Sequence, residues 1–303
     1  ASNYTITTHN FTINRRVINL SGTRLYDATT NAVASDLSTH SNLVGSQTLA
    51  LSGTGTITSK NVESNKTVSV GTLALADGSN GGLAANYTLS GGTHQLTVNQ
   101  RPLNATLSRQ YDASTIATGS TLSSFDALQG GENLTMTGSG TASSANVANS
   151  ISMSNNGDLA LADGSGGSAG LASNYSLNST VINITQRVLD SSGSKIYDAN
   201  TDAIAGAITL SNLAGGETLT HSGTASTSSA NVGSYTINNL SGISISNGTG
   251  AASNYTLTGG THSFSVNRRV ISLSGTRLYD ATTNATASDL STHSNLVGSQ
   301  TLA

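Results

Sequence analysis

Apolar and polar residues alternate in short runs along the chain. Leu96 and Val98, then Leu103, Ala105 and Leu107, and later Phe264 and Val266, recur at a spacing of two. That is the period of a strand with one buried face. Further strands are predicted at 47–51, 134–137 and 218–222. More apolar pairs of runs follow at 67–70 with 72–75, 151–153 with 159–161, and 235–237 with 243–245, read as strands paired with each other. Asn156-Gly157 and Asn247-Gly248 are turn signals of the hairpin kind. Residues 1–15 are predicted to hold short strands through Tyr4, Ile6, Phe11 and Ile13. No stretch sustains the 3.6-residue apolar spacing of a helix, so no helix beyond a turn or two is expected.

The pattern repeats. Tyr-Asp pairs stand at Tyr26-Asp27, Tyr111-Asp112, Tyr197-Asp198 and Tyr279-Asp280, in steps of 85, 86 and 82 residues. Asn-Tyr pairs stand at Asn3-Tyr4, Asn86-Tyr87, Asn174-Tyr175 and Asn254-Tyr255, each 22 to 24 residues before the next Tyr-Asp. Asn-Val recurs at Asn61, Asn146 and Asn231. Three markers in one order at matching steps define a tandem array. Joints fall at Arg16, Arg101, Arg187 and Arg269, where the parity of the apolar positions flips. A strand keeps its inward face on one parity, so a flip suits a passage from one module to the next. The single proline, Pro102, sits at such a joint.

These markers divide the chain into 1–15, the last strands of a preceding repeat; 16–101, 102–187 and 188–269, three repeats; and 270–303, the start of a further one. The chain begins inside a repeat and reads as a cut-out fragment, with no signal peptide in view. Residues 17–50 and 270–303 differ only at Asn19/Ser272 and Val33/Thr286, which points to a super-repeat of three units. Seven or so short strands per repeat predict an all-β fold, a tandem array of small Ig-like β-sandwich modules of about 85 residues. A β-solenoid is the first alternative, disfavoured because no short coil period is present. β-grasp-like modules are the other, disfavoured by the missing helix.

Composition narrows the function classes. Charged residues are 9% and the net charge is −3, which argues against nucleic acid, whose binding needs clustered Lys and Arg. The absence of cysteine removes disulfides, thiolate nucleophiles and Cys-based zinc. No run of about 18 apolar residues, the length of a membrane-crossing helix, is present.

The candidate chemistry is sparse. A Tyr-Asp pair copied into every repeat reads as structural, with Tyr at the core and Asp tying down the loop after it through backbone N–H groups. Arg16, Arg101, Arg187 and Arg269 read as inter-module contacts to a carboxylate or to loop carbonyls, in preference to a ladder for anionic polysaccharide. Asp77 and Asp163, in matching Leu-Ala-Leu-Ala-Asp-Gly-Ser segments, are the candidates for Ca²⁺. Without further carboxylates nearby, a turn is the favoured reading, so no cofactor is expected. His9, His94 and His262 occupy one repeat position, at no metal-binding spacing. Asn86, Asn174 and Asn254 open acceptor sequons, which this composition produces freely.

The motifs resemble those of the YDG or MBG repeats of large secreted bacterial adhesins, of the filamentous-haemagglutinin-like, two-partner-secretion kind, biofilm-matrix adhesins included. The residues carrying the resemblance are Arg24-Leu25-Tyr26-Asp27-Ala28-Thr29-Thr30, Asn231-Val232-Gly233 and Asn86-Tyr87-Thr88-Leu89. Ala28, Ala113, Ala199 and Ala281 stand where the family pattern has glycine, so a left-handed backbone is not expected there. The resemblance implies an extracellular place, on the cell surface or in the biofilm matrix, and no enzymatic role. The expected function is a stalk or spacer projecting a distal adhesive domain, with neighbouring repeats as partners. The alternative is multivalent binding of matrix polysaccharide, or of another copy of the adhesin, along the repeats.

Overall fold

The computed structural model describes residues 3–5, 7–237 and 240–302. The chain is all-β, built from several small sheets of the sandwich type. Among the described residues the helical pieces are three-residue 3₁₀ turns, such as Ala84–Asn86. Among the described residues no helix is long and apolar enough to cross a membrane. The fold forms two compact units. One takes the residues up to 107 with 116–142 and 152–182; the other takes 108–115, 143–151 and the residues from 183 onward.

The first repeat shows the plan. Its strands are β1 (Arg16–Val17), β2 (Asn19–Leu25), β3 (Asn31–Val33), β4 (Thr39–Ser41), β5 (Leu49–Ser52), β6 (Thr54–Ile57), β7 (Glu63–Ser69), β8 (Ala74–Asp77), β9 (Tyr87–Thr88) and β10 (His94–Asn99). Ten strands appear where about seven were expected, because turns and single residues interrupt the longer apolar runs. The main sheet has the order β3-β6-β7-β10-β2-β4, and β5 pairs with β8 in a second sheet. The last strand, β10, lies parallel to β2, with His94 opposite Leu20 and Asn99 opposite Leu25. The short pair β1 and β9 is also parallel. Ile18, Leu20, Tyr26, Leu37, Leu96 and Val98 fill the core between the layers.

The second unit repeats this plan. Asp190–Ile196 lies parallel to His262–Asn267 and antiparallel to Ile208–Ser211. Phe264, Ala203, Ile208, Ala225, Ile237 and Ile243 form its core.

The paired runs expected at 67–70 with 72–75, and their counterparts, are not hairpins. β7 pairs with β6 and β10, whereas β8 pairs with β5. Likewise Ala160–Asp163 pairs with Leu134–Thr137, Gly233–Thr236 with His262–Asn267, and Ile243–Asn247 with Leu219–Ser226. Leu73 and Leu159 lie in the turns and Ile243 opens the strand after its turn, and all three are buried. A surface hairpin would leave these side chains in water, so the turn passes inward and the chain changes sheet. Asn156-Gly157 lies in such a crossing turn, whereas Asn247 ends its strand and Gly248 leads into the loop before Ala252–Asn254.

The strands expected within 1–15 are absent from the described part of that segment. Tyr4, Phe11 and Ile13 are exposed, and Ile6 lies outside the described residues. The matching strand β10 exists by pairing with β2 and β7. The described residues offer 7–15 no such neighbours, and an isolated strand has no stability of its own.

One glycine per repeat lets the chain bend between the two layers. Gly53, Gly138 and Gly223 have φ of 85°, 78° and 101°. In the third repeat the strand Leu219–Ser226 runs through this bend, pairing with Ile243–Asn247 at one end and Asp202–Ile204 at the other. A Cβ on Gly53 would lie 2.1 Å from the Thr72 carbonyl oxygen. Gly53→Ala is therefore expected to destabilise the first unit by about 2 kcal/mol or more, from backbone strain plus the clash. Denaturant melts of the two proteins measure this, and an unchanged midpoint would refute the bend's role.

Candidate functional site: the joints between repeats

The three repeated motifs meet where one repeat follows another. In the first joint, Tyr26 of the leading repeat is wholly buried, and its hydroxyl donates to Glu132 Oε1 of the next repeat at 2.6 Å. Tyr175, from the Asn-Tyr pair of that next repeat, donates to Glu132 Oε2 at 2.9 Å and accepts from the Gln129 N–H at 3.1 Å. The two tyrosine rings meet edge to face, with centroids 5.2 Å apart. Lys60 pairs with Glu132 Oε1 and lies over the Tyr26 ring, 5.8 Å from its centroid. Asn174, 1% exposed, accepts from the Val62 N–H at 2.9 Å and donates to Asn61 Oδ1 at 3.0 Å. Asn-Tyr thus joins both Tyr-Asp and Asn-Val of the repeat before it.

The second joint repeats this geometry. Tyr111 and Tyr255 donate to Glu217 at 2.7 and 2.6 Å, and their rings stand edge to face at 5.4 Å. Asn254 accepts from the Val147 N–H and donates to Asn146. Ala145 stands where Lys60 does, so this carboxylate has two phenols and no lysine. Elsewhere a glutamine replaces the glutamate: Tyr87 donates to Gln47 Oε1 at 2.5 Å, and Gln300 donates to the Tyr197 hydroxyl at 2.6 Å. Asn86 lies beside Tyr87 in the turn Ala84–Asn86.

The aspartate of each Tyr-Asp pair folds the loop after it. Asp27, Asp112, Asp198 and Asp280 each accept the backbone N–H two residues on. Each also pairs with a cation three residues before it: Arg24, Arg109, Lys195 or Arg277. The intervening alanines are left-handed, with φ of 62°, 63°, 63° and 60° at Ala28, Ala113, Ala199 and Ala281. This overturns the expectation drawn from the missing glycine. The aspartate's bond to the N–H beyond the alanine enforces the turn. At the joints the methyl group has a seat: a Cβ on Gly130 would come within 2.8 Å of the Ala28 methyl, and one on Gly215 within 3.1 Å of that of Ala113.

The recurring arginines bind carbonyl oxygens. Arg101, Arg187 and Arg269 reach the carbonyls of Tyr26, Tyr111 and Tyr197 in the repeat before. Arg16, Arg187 and Arg269 also grip Asn42, Asn212 and Asn295. Each of those asparagines donates in turn to the carbonyl of the residue after its arginine. Asp77 and Asp163 each accept a backbone N–H at the start of the turn before Asn-Tyr, from Ala84 and Ala172 at 2.7 Å. Asn247 does the same for Ala252, so the position needs an oxygen acceptor and no charge. No cluster of three or more metal-ligating side chains occurs among the described residues. His94 and His262 are buried, each with Nε2 bonded to a carbonyl oxygen, of Leu89 and of Leu257.

A family model for the YDG domain matches residues 8–96 and 183–262, more than half of the chain. The chain belongs to the YDG domain family. No curated protein and no solved structure matches it. Most of the middle repeat, 102–182, lies outside the matched stretches, yet it supplies Glu132 and Tyr175 to one YDG joint and Tyr111 to the next.

Sequence reasoning had missed the central acceptor of the YDG joint. Gln47, Glu132, Glu217 and Gln300 follow their Tyr-Asp tyrosines by 21, 21, 20 and 21 residues. The signal was present, hidden by the exchange of glutamine for glutamate and by an unremarkable loop context. The cation before each Tyr-Asp was visible, but its aspartate partner was not inferred.

Burial alone would push the Glu132 carboxyl upward, but Lys60 and the two phenols outweigh it and hold it below its ordinary value. Burial and the neighbouring carboxylates push Tyr111 and Tyr175 up to about 12. A carboxyl depressed in the folded state adds stability above its unfolded pKa and loses it as pH falls through the folded one. Glu132→Gln keeps an acceptor but no charge. It is expected to cost about 1–2 kcal/mol at pH 7. The deficit should shrink as pH falls below the ordinary carboxyl value of 4.5. Paired melts from pH 7 to pH 3 test this, and a deficit independent of pH would sink it.

Proposed function

We propose that these YDG repeats are the spacer of a secreted bacterial adhesin, on the cell surface or in the biofilm matrix, of the filamentous-haemagglutinin-like, two-partner-secretion kind. In this reading they hold a distal adhesive domain away from the cell. The observation that carries it is the use made of the repeated side chains. Tyr-Asp, Asn-Val, Asn-Tyr and the recurring arginines all fasten one repeat to the next or tie down the adjoining loop. In a binder repeated for avidity, the repeated side chains would face a ligand. Here the tyrosines and asparagines of the two complete joints, Tyr26, Tyr111, Asn174, Tyr175, Asn254 and Tyr255, are buried where one repeat meets the next, which suits a load-bearing array. A chain without cysteine also refolds after export with no oxidation step.

The test is replacement in the parent adhesin. Removing a whole super-repeat should weaken cell attachment and leave ligand binding by the isolated distal domain unchanged. An unrelated spacer of equal length should restore attachment. Failure of that spacer to restore it, or saturable binding of matrix polysaccharide to the 303-residue chain alone, would overturn the reading.

A further inference from the structure

The two complete joints differ in one side chain. In the first, Glu132 takes the Tyr26 hydroxyl and the Lys60 ammonium group on Oε1, and the Tyr175 hydroxyl on Oε2. That ammonium group also lies over the Tyr26 ring. In the second, Glu217 takes the Tyr111 hydroxyl on Oε1 and the Tyr255 hydroxyl on Oε2. The tyrosines keep their edge-to-face contact, at 5.4 Å against 5.2 Å. Asn-Val follows directly in both, so Ala145 holds the place of Lys60. Among the described residues no lysine, arginine or histidine pairs with Glu217.

The third repeat marks the second joint as the exception. There Ala230 again holds the place of Lys60, but the residue that meets Tyr197 is Gln300, a neutral amide. Lysine goes with glutamate in one joint, and alanine with glutamine in another. Only the second joint sets a carboxylate against alanine. Glu217 is half-buried, and a charge so placed, with two neutral donors and no counter-ion, is held at a cost. Solvent reaches the ammonium position of the first joint, since the Lys60 side chain is 42% exposed. Ala145 is half-buried in the second.

We propose that the second joint binds a small monovalent cation, ammonium or potassium, in the place that Lys60 fills in the first. Glu217 Oε1 and the Tyr111 hydroxyl oxygen face the ion, as Glu132 Oε1 and Tyr26 face the Lys60 ammonium group. The Tyr111 ring adds cation–π attraction. Tyr111 gives its proton to the carboxylate, which leaves an oxygen lone pair for the ion. One carboxylate and a phenol carry a single negative charge, which matches a monovalent ion. A calcium ion takes six to eight oxygen ligands, several of them charged, and no cluster of three or more metal-ligating side chains occurs among the described residues. Binding stabilises the second joint alone, through linkage. The order of these repeats then depends on which salt surrounds them, whether or not they act as a spacer.

The test is NMR of the 303-residue chain with ¹³C-labelled tyrosine, the signals being assigned from single Tyr→Phe variants. Ammonium chloride and potassium chloride are titrated at pH 7 against tetramethylammonium chloride of equal ionic strength, whose bulky ion donates no N–H. The Tyr111 and Tyr255 signals should move along a saturable curve in the first two salts and not in the third. A tighter curve for ammonium identifies hydrogen bonding as the selector, and equal curves identify size and charge. Ala145→Lys and Glu217→Gln should each weaken the response by roughly tenfold or more, the one by supplying the cation and the other by removing its counter-charge. Unchanged Tyr26 and Tyr175 signals show that these variants remain folded. Lys60→Ala should bring the same response to Tyr26 and Tyr175. No movement of Tyr111 and Tyr255 beyond that in tetramethylammonium, or a saturable response that survives both Ala145→Lys and Glu217→Gln, would overturn the proposal.

Discussion

A carboxylate out of water between two tyrosines is the constraint on which the joints depend. Glu132 is buried where bulk water does not solvate it, and an unpaired charge there would cost several kcal/mol. The first joint supplies two phenol donors and an ammonium group. The donors come from different repeats, so the carboxylate is satisfied only when both are folded and in register. This converts a local desolvation penalty into a requirement for neighbour order. The edge-to-face contact of the tyrosines adds dispersion and fixes the ring angle. The asparagine of Asn-Tyr supplies a second, independent latch through the Val62 N–H.

Such joints matter because each module has little core of its own. Only 35% of the residues are apolar and 4% aromatic, and modules of about 85 residues bury a smaller fraction of their chain's surface than larger domains do. The largest side chains are placed accordingly. Tyr26, Tyr175 and Tyr255 are among the most deeply buried side chains of the molecule, and all three sit at joints. Stability that would reside inside a larger domain is thus shared between neighbours, as in other linear repeats. The polar fraction that this composition leaves is used in backbone ties: Asp27 on its loop, Asp77 and Asp163 on the turn before Asn-Tyr, Asn42 and Asn212 beside the arginines.

The all-β class was legible because period-two alternation survives at Leu96, Val98, Leu103 and Leu107, all buried as the parity requires. Strand partners were less legible. Nothing in 67–75 distinguishes a hairpin from a crossing between sheets until Leu73 is seen to point inward, since both need a tight turn between apolar runs. The left-handed alanines were misread because glycine is the usual marker of that backbone. The force that holds them, an aspartate one residue earlier, is as strong in sequence terms but less specific. Glu132 and Glu217 were overlooked because an isolated Glu in a Gly-Gly-Glu loop looks solvated. Their partners lie 106 residues away in Tyr26 and Tyr111, beyond any local pattern.

The joints also fit the three-unit super-repeat to which the near-identity of residues 17–50 and 270–303 points. A joint is made by residues of one repeat and of the next, so its chemistry belongs to a pair. Lys60 of the first repeat meets Glu132 of the second. The second repeat has Ala145 in that place and meets Glu217. In the third, Tyr197 accepts from Gln300, and Gln300 belongs to a near-copy of the block that holds Gln47. Copying the first repeat alone would set Lys60 beside Gln47, an ammonium group facing an amide at a half-buried site, with its carboxylate gone. Copying three repeats together returns every end to the start it already fits. The unit of duplication is then the smallest block that conserves all of its own contacts, and the chain lengthens without any joint having to be refitted.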